Sequence, residues 1–277
     1  MSDNPTVRLN NGVTMPQLGF GVFQVPDART EAAVAHALAA GYRGIDTAAI
    51  YGNEAGVGAA VAAAGVPRED LFITTKVWND AHGYDATLRA FDESMAKLRL
   101  QQLDLYLIHW PTPARDKYLD TWRALERLHA DGRVRAIGVS NFQPAHLERL
   151  LDAGSVVPAV NQIELHPYLQ QVELRAFHDK HGIATEAWSP LAQGGVLLAD
   201  PVVGAIAARL GRTPAQVVLR WHVELGNVVI PKSITRARIR ENIAVFDFAL
   251  TDEDLAMLAA LDRGRRIGPD PDGFNGA

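Results

Sequence analysis

Three polar residues close three successive apolar runs of the chain: Asp46 after Gly-Tyr-Arg-Gly-Ile, Lys76 after Asp-Leu-Phe-Ile-Thr-Thr, and His109 after Leu-Asp-Leu-Tyr-Leu-Ile. Tyr51 follows Asp46 within Asp-Thr-Ala-Ala-Ile-Tyr. An acid, an ammonium, an imidazole and a phenol gathered at one place can move protons. A phenol with an ordinary pKa near 10 is a poor acid at neutral pH, but a neighbouring ammonium favours its ionised form and brings it toward the operating range. Asp46 would hold that ammonium in place and keep it charged. His109 would donate a hydrogen bond to a carbonyl oxygen as negative charge develops there. Singly, each of the four is also a plausible packing or surface residue. Together they describe a general acid beside a carbonyl with no base placed for hydrolysis, which points to reduction rather than acyl transfer. Reduction needs a hydride, and no side chain supplies one, so a redox cofactor is implied.

The elements that must position these residues follow a repeat. Apolar, strand-like runs recur at 44–46, 71–76, 103–109, 134–140, 159–162, 183–188 and 228–232, separated by stretches with helical spacing. Asp27 to Ala40 reads as a helix closed by Gly41, Tyr84 to Arg99 as a second, and Lys117 to Ala130 as a third closed by Asp131 and Gly132. The short Gln-Leu-Gly-Phe-Gly segment at Leu18 to Gly21 supplies an eighth strand. Before it, residues 6–15 read as a hairpin, with Asn11-Gly12 providing the positive φ of a tight turn. Eight βα units in 277 residues predict a single (β/α)8 TIM barrel spanning 1–277 rather than a doubly wound sheet, because no linker divides the chain. A barrel of this kind carries its active site at the C-terminal strand ends. Here those ends read Asp46, Lys76, His109, Ser140-Asn141, Gln162, Trp188-Ser189 and Lys232-Ser233.

Composition narrows the function classes. A hydrophobic fraction of 48% allows a full core and excludes disorder, while no apolar run approaches the length of a membrane span. The N-terminus lacks a basic segment followed by an apolar one, so a cytoplasmic location is expected. Zero cysteines excludes disulfides, thiolate metal sites and a cysteine nucleophile. A net charge of -5 argues against a nucleic-acid partner. Other motifs are decoys. Gly56-Val57-Gly58 falls inside a helical stretch and lacks the third glycine of a dinucleotide fingerprint, and Phe142 stands where a Gly-x-Ser-x-Gly elbow needs glycine. His178 and His181 read as an exposed helical pair without a third ligand, and His36, His129, His146 and His222 as surface or packing residues. No metal site is expected.

The segments Gly-Tyr-Arg-Gly-Ile-Asp-Thr-Ala-Ala-Ile-Tyr-Gly-Asn-Glu, Thr-Thr-Lys-Val-Trp-Asn, Leu-Asp-Leu-Tyr-Leu-Ile-His-Trp-Pro, Gly-Val-Ser-Asn-Phe, Asn-Gln-Ile-Glu-Leu-His-Pro, Trp-Ser-Pro-Leu-Ala-Gln-Gly and Ile-Pro-Lys-Ser, in this order, resemble the aldo-keto reductases. The resemblance is nearest to their bacterial 2,5-diketo-D-gluconic acid reductase group and covers almost the whole chain. It implies a barrel that binds NADPH without a Rossmann motif. The family's catalytic tetrad falls on Asp46, Tyr51, Lys76 and His109. Ser140, Asn141 and Gln162 match positions that bind the nicotinamide carboxamide. Trp188 matches the residue on which the ring stacks, where many members have tyrosine. Ser189 is a further cofactor-binding position; Leu191, Gln193 and Gly194 match the pyrophosphate loop; Lys232, Ser233 and Arg238 the 2′-phosphate site; Glu241 and Asn242 the adenine contacts. Thr235 stands where some relatives place a further cation. Phe23, Trp78, His109 and Trp110 are expected around the substrate, with the Gly/Pro-rich C-terminal loop above them. A small carbonyl substrate and a monomer are implied. The alternative is a cofactor-binding regulatory protein on the same barrel with little turnover.

Overall fold

In the computed structural model, which describes residues 4–276, strands β1 (Thr6–Arg8) and β2 (Thr14–Pro16) form the N-terminal antiparallel hairpin. Its connection is longer than a two-residue turn. Leu9 N donates to Val13 O at 2.8 Å, and within the loop Gly12 carries the positive φ, 87°. Asn11 does not share that conformation; its side chain accepts from Val13 N and donates to Arg135 O, which ties the hairpin to the barrel.

Eight parallel strands follow: β3 (Gly19–Gly21), β4 (Gly44–Asp46), β5 (Phe72–Val77), β6 (Leu103–Ile108), β7 (Val134–Ser140), β8 (Val160–Glu164), β9 (Ala184–Trp188) and β10 (Val228–Val229). They pair in chain order, and a parallel bridge between Leu18 and Val229 closes the sheet on itself. Closure leaves no unpaired edge. The last strand is shorter than the apolar run predicts because Pro231 has no N–H to donate, though its carbonyl still accepts from Gly21 N at 3.2 Å.

Among the described residues, ten α-helices surround the barrel: α1 (Asp27–Ala39), α2 (Glu54–Ala63), α3 (Tyr84–Leu98), α4 (Tyr118–Ala130), α5 (Pro144–Ala153), α6 (Val172–His181), α7 (Pro201–Leu210), α8 (Pro214–Glu224), α9 (Arg236–Ile243) and α10 (Asp252–Ala259). The β9-to-β10 connection holds two of them, each started by a side-chain cap, Asp200 to Val202 N and Thr213 to Gln216 N. None is long and apolar enough to cross a membrane.

Strand alternation decides which side chains reach the site. Phe72, Leu105, Leu107, Ala136, Val160, Ala184 and Val228 share one apolar cluster with Leu9 and Met15 of the hairpin, which plugs the N-terminal end of the barrel. Ile45, Ile73, Tyr106, Ile137, Ile163 and Ala187 face the helices instead. Successive residues of a strand point to opposite faces. Asp46, Lys76, His109, Ser140, Gln162, Glu186 and Trp188 therefore fall on the inward parity, one or two steps above the plug. A one-residue slip in any strand would turn its polar residue into the helix layer.

The helical histidine pair is not exposed as expected. His178 is fully buried, its ring nitrogens 2.9 Å from Asn161 Nδ2 and 2.8 Å from Thr185 Oγ1, and burial lowers its pKa to about 3. It is a neutral packing histidine joining α6 to β8 and β9. His181 stacks on Phe177 at 4.4 Å.

Candidate active site

The C-terminal strand ends open into one cavity of about 1020 Å³. Every residue expected from the sequence to bind cofactor or substrate lines it, and so do Asp46, Tyr51 and His109. Lys76 does not. It has no exposed surface and sits behind the cavity wall, with Nζ 2.6 Å from Asp46 Oδ1 and 2.9 Å from Thr47 O. Lys76 can act on substrate only through Tyr51, whose ring centroid lies 5.3 Å from the ammonium.

A 3-10 turn at Ala49–Tyr51 follows β4 and carries Tyr51 back over the strand end. Gly52 ends the turn with φ 66°, a conformation that suits glycine. The Tyr51 ring meets His109 edge-on at 5.6 Å and Phe23 at 5.0 Å. His109 in turn meets Trp78 edge-on at 5.0 Å. These rings restrict both proton-bearing side chains to one geometry.

The electrostatics differ from the sequence expectation. Burial raises the Tyr51 phenol to about 12, more than the Lys76 ammonium lowers it. Tyr51 therefore holds its proton at neutral pH, as a donor must. Burial opposes the Lys76 charge, but Asp46, Tyr51 and Glu186 together outweigh it and raise the lysine's pKa. Burial, helped by Lys76, holds His109 well below the ordinary histidine range. A neutral imidazole has one N–H to give. His109 Nδ1 is sealed in the protein without a partner, so Nε2 is the nitrogen open to the cavity.

Three residues expected at the nicotinamide carboxamide are already bonded to one another. Ser140 Oγ donates to Gln162 O at 2.8 Å, and Asn141 Nδ2 donates to His109 O and Ser140 Oγ at 3.0 and 3.1 Å. Asn141 Oδ1 accepts from Trp188 Nε1 at 2.8 Å, which locks the indole plane; a tyrosine there has no equivalent N–H. Asn141 adopts φ 64°, a left-handed conformation that asparagine tolerates better than most residues. The following loop coils tightly, with positive φ at Ser189, Ala192, Gln193, Gly194 and Gly195.

At the far end of the cavity lie Lys232 and Arg238, neither in an ion pair among the described residues. Ser233 Oγ accepts from Thr235 N at 3.1 Å, and α9 starts without a side-chain cap on its first N–H groups. Glu241 accepts from Thr213 Oγ1 at 2.7 Å, and Asn242 is buried beside it. Thr235 does not line the cavity.

The sequence reading missed two features. Phe274 of the C-terminal loop packs on Trp110 at 4.5 Å and completes the pocket wall. The loop is pinned by the fully buried Glu164, whose oxygens accept from Ile267 N at 2.6 Å and Gly268 N at 2.8 Å, and by Asn79 and Asn275 near its end. Gly268 is required there, since a Cβ would come within 2.5 Å of the Trp188 ring. The second missed feature is Glu186, fully buried beside Gln162. An inward carboxylate in the middle of a strand is the sequence signal that could have shown it.

Burial and the Asp46 charge raise Glu186 from 4.5 to about 8. A raised native pKa stabilises the fold below the unfolded value, and that stabilisation is lost as pH rises from about 4.5 through 8. Glu186→Gln is expected to remove this dependence. Melting temperatures of both proteins between pH 5 and 9 check it; curves that stay parallel would contradict the assignment.

Comparison with known proteins gives the family. The sequence profile described as "Aldo/keto reductase family" matches residues 17–263. The chain belongs to the aldo/keto reductase family. It is thus an oxidoreductase of carbonyl and alcohol groups. An aldo-keto reductase of Mycolicibacterium smegmatis is 58% identical over 272 residues, 98% of each chain. Methylglyoxal reductase DkgA of Salmonella typhimurium is 53% identical over 275 residues, 99% of each. Among solved structures, a Gox0644 mutant in complex with NADPH superposes with a TM-score of 0.95 at 49% identity, covering 99% of both chains.

Proposed function

We propose that this aldo-keto reductase uses NADPH to reduce small aldehydes or α-dicarbonyls, with Tyr51 as general acid, acting as a single-domain monomer in the cytoplasm. The protonation pattern carries the reading: at neutral pH Tyr51 is a protonated phenol and His109 a neutral imidazole facing the same cavity. NADPH, the cofactor in the solved Gox0644 complex, supplies hydride to the carbonyl carbon when bound. The chain's residues do the rest. His109 Nε2–H and the Tyr51 hydroxyl hold the carbonyl oxygen, and Tyr51 donates its proton to that oxygen as the alcohol forms. The Lys76 ammonium, kept charged by Asp46, stabilises the resulting phenolate.

The cavity fits the cofactor. Trp188 offers a fixed flat face, Gln162 a free amide oxygen, and Lys232 with Arg238 two unpaired cations next to the uncapped start of α9, where backbone N–H groups favour a phosphate. Near Tyr51 the walls are aromatic, from Phe23, Trp78, Trp110 and Phe274, without an arginine or lysine lining them. This favours an uncharged carbonyl, in keeping with the methylglyoxal reductases among the relatives. Loss of NADPH absorbance with a panel of aldehydes and α-dicarbonyls, ranked by kcat/KM, tests the reading. A protein that binds NADPH but reduces none of them would favour the regulatory alternative.

Arg238 bears on cofactor choice. Arg238→Ala is expected to weaken NADPH binding by roughly 1–3 kcal/mol, toward the low end because the side chain is exposed, and to leave NADH binding nearly unchanged. Titrating both by quenching of tryptophan fluorescence decides it, since equal losses would remove Arg238 from the 2′-phosphate site.

A further inference from the structure

Glu186 is a buried acid that the reaction does not use. It makes no ion pair with Lys76 among the described residues, does not line the cavity, and leaves Oε1 without a partner. A buried carboxyl is costly compared with an apolar side chain. Its one hydrogen bond goes to Gln162, its register partner on β8, where Nε2 donates to Glu186 Oε2 at 2.9 Å. The other N–H of the same amide goes to Asp46 Oδ2 at 2.8 Å, and Asp46 is itself held by Lys76. Both N–H bonds of Gln162 are thus taken by carboxyl oxygens, one of Asp46 and one of Glu186. Only Nε2 can donate to the Asp46 carboxylate, so the amide cannot be turned over, and Oε1 is its remaining hydrogen-bonding group. Gln162 lines the cavity beside Trp188, while the Ser140 hydroxyl and the Asn141 amide are bonded within the protein.

We infer that Glu186 is a positioning residue for the cofactor: by accepting the second N–H of Gln162 it holds the glutamine carbonyl toward the cavity as an acceptor for the carboxamide NH₂ of the nicotinamide. The inference rests on the reading of Gln162 as a nicotinamide contact. Without Glu186 the amide keeps one carboxylate acceptor and gains the freedom to rotate away.

Three ligands separate the possibilities in fluorescence titrations: NADPH, its reduced 3-acetylpyridine analogue, in which a methyl replaces the carboxamide NH₂, and 2′-phospho-ADP-ribose, which has no nicotinamide. Glu186→Met is expected to weaken NADPH about 5- to 10-fold, the loss of roughly one hydrogen bond, and to leave the other two ligands within about twofold. Glu186→Gln, whose amide oxygen can still accept from Gln162, is expected to bind NADPH within about twofold of the parent. Glu186→Ala carries the same expectation as the methionine variant if that variant does not fold. Equal losses for NADPH and the analogue, or a glutamine variant as impaired as the methionine one, would overturn the inference. A parent enzyme that binds NADPH and the analogue equally would instead overturn the Gln162 reading beneath it.

Discussion

Replacing Tyr51 with phenylalanine is expected to abolish carbonyl reduction by at least about 10²-fold, the lower end of what a positioned general acid contributes. The ring would stay where it is, because its edge contact with His109 and its packing on Phe23 do not involve the hydroxyl. NADPH affinity should hardly change, so the loss should appear in kcat. The alternative donor, His109, is disfavoured by its own environment. Burial and Lys76 keep it neutral at pH 7, and a neutral imidazole gives up its remaining proton far less readily than a phenol. Should Tyr51→Phe retain near-parental kcat under saturating NADPH, the acid assignment fails and His109 must be reconsidered.

Lys76→Met is expected to show two effects with separate causes. The first is on chemistry. The ammonium lowers the Tyr51 pKa against the larger effect of burial, so removing it raises that pKa further. Alcohol oxidation needs the ionised phenol as proton acceptor, and its rising pH limb should move to higher pH. The second is on stability. Asp46 is only 3% exposed, and removal of its partner leaves a buried carboxylate facing Gln162 alone. Breaking a buried pair costs about 3–5 kcal/mol, which for a chain of this size lowers the melting temperature by about 5–9 °C. An oxidation profile that keeps its pH midpoint would show that Lys76 does not tune Tyr51, whatever happens to the melting temperature.

Much of this was legible in the chain because a strand end is a local property. A polar residue that closes an apolar run of strand length has few places to go, and in a parallel barrel all such ends open on the same side. Asp46, His109, Gln162 and Trp188 were found in that way. Lys76 was found too, but not its place behind the wall, because depth is set by how Tyr51 folds over the end of β4 through the turn at Ala49–Tyr51. The direction of the Tyr51 shift also needed the fold. Sequence identifies the neighbouring ammonium, whereas the opposing desolvation depends on how closely protein encloses the phenol.

What the sequence by itself determined is the repeat of eight strands, the strand ends that carry the reactive residues, and the polar junction at Lys232 and Ser233, all of which depend on spacing over a few residues along the chain. The tertiary structure alone decided contacts between positions far apart in sequence. His178 looked exposed on its helix and is buried because β8 and β9 present Asn161 and Thr185 to it. The C-terminal loop has no periodicity, and its course over Trp110 and Trp188 is set by Glu164, about a hundred residues earlier. Glu186 meets Gln162 as its register partner on the neighbouring strand, but Gln162 reaches Asp46 on β4 only because the sheet closes into a barrel, and closure is what turns the three strand positions into one hydrogen-bonded group.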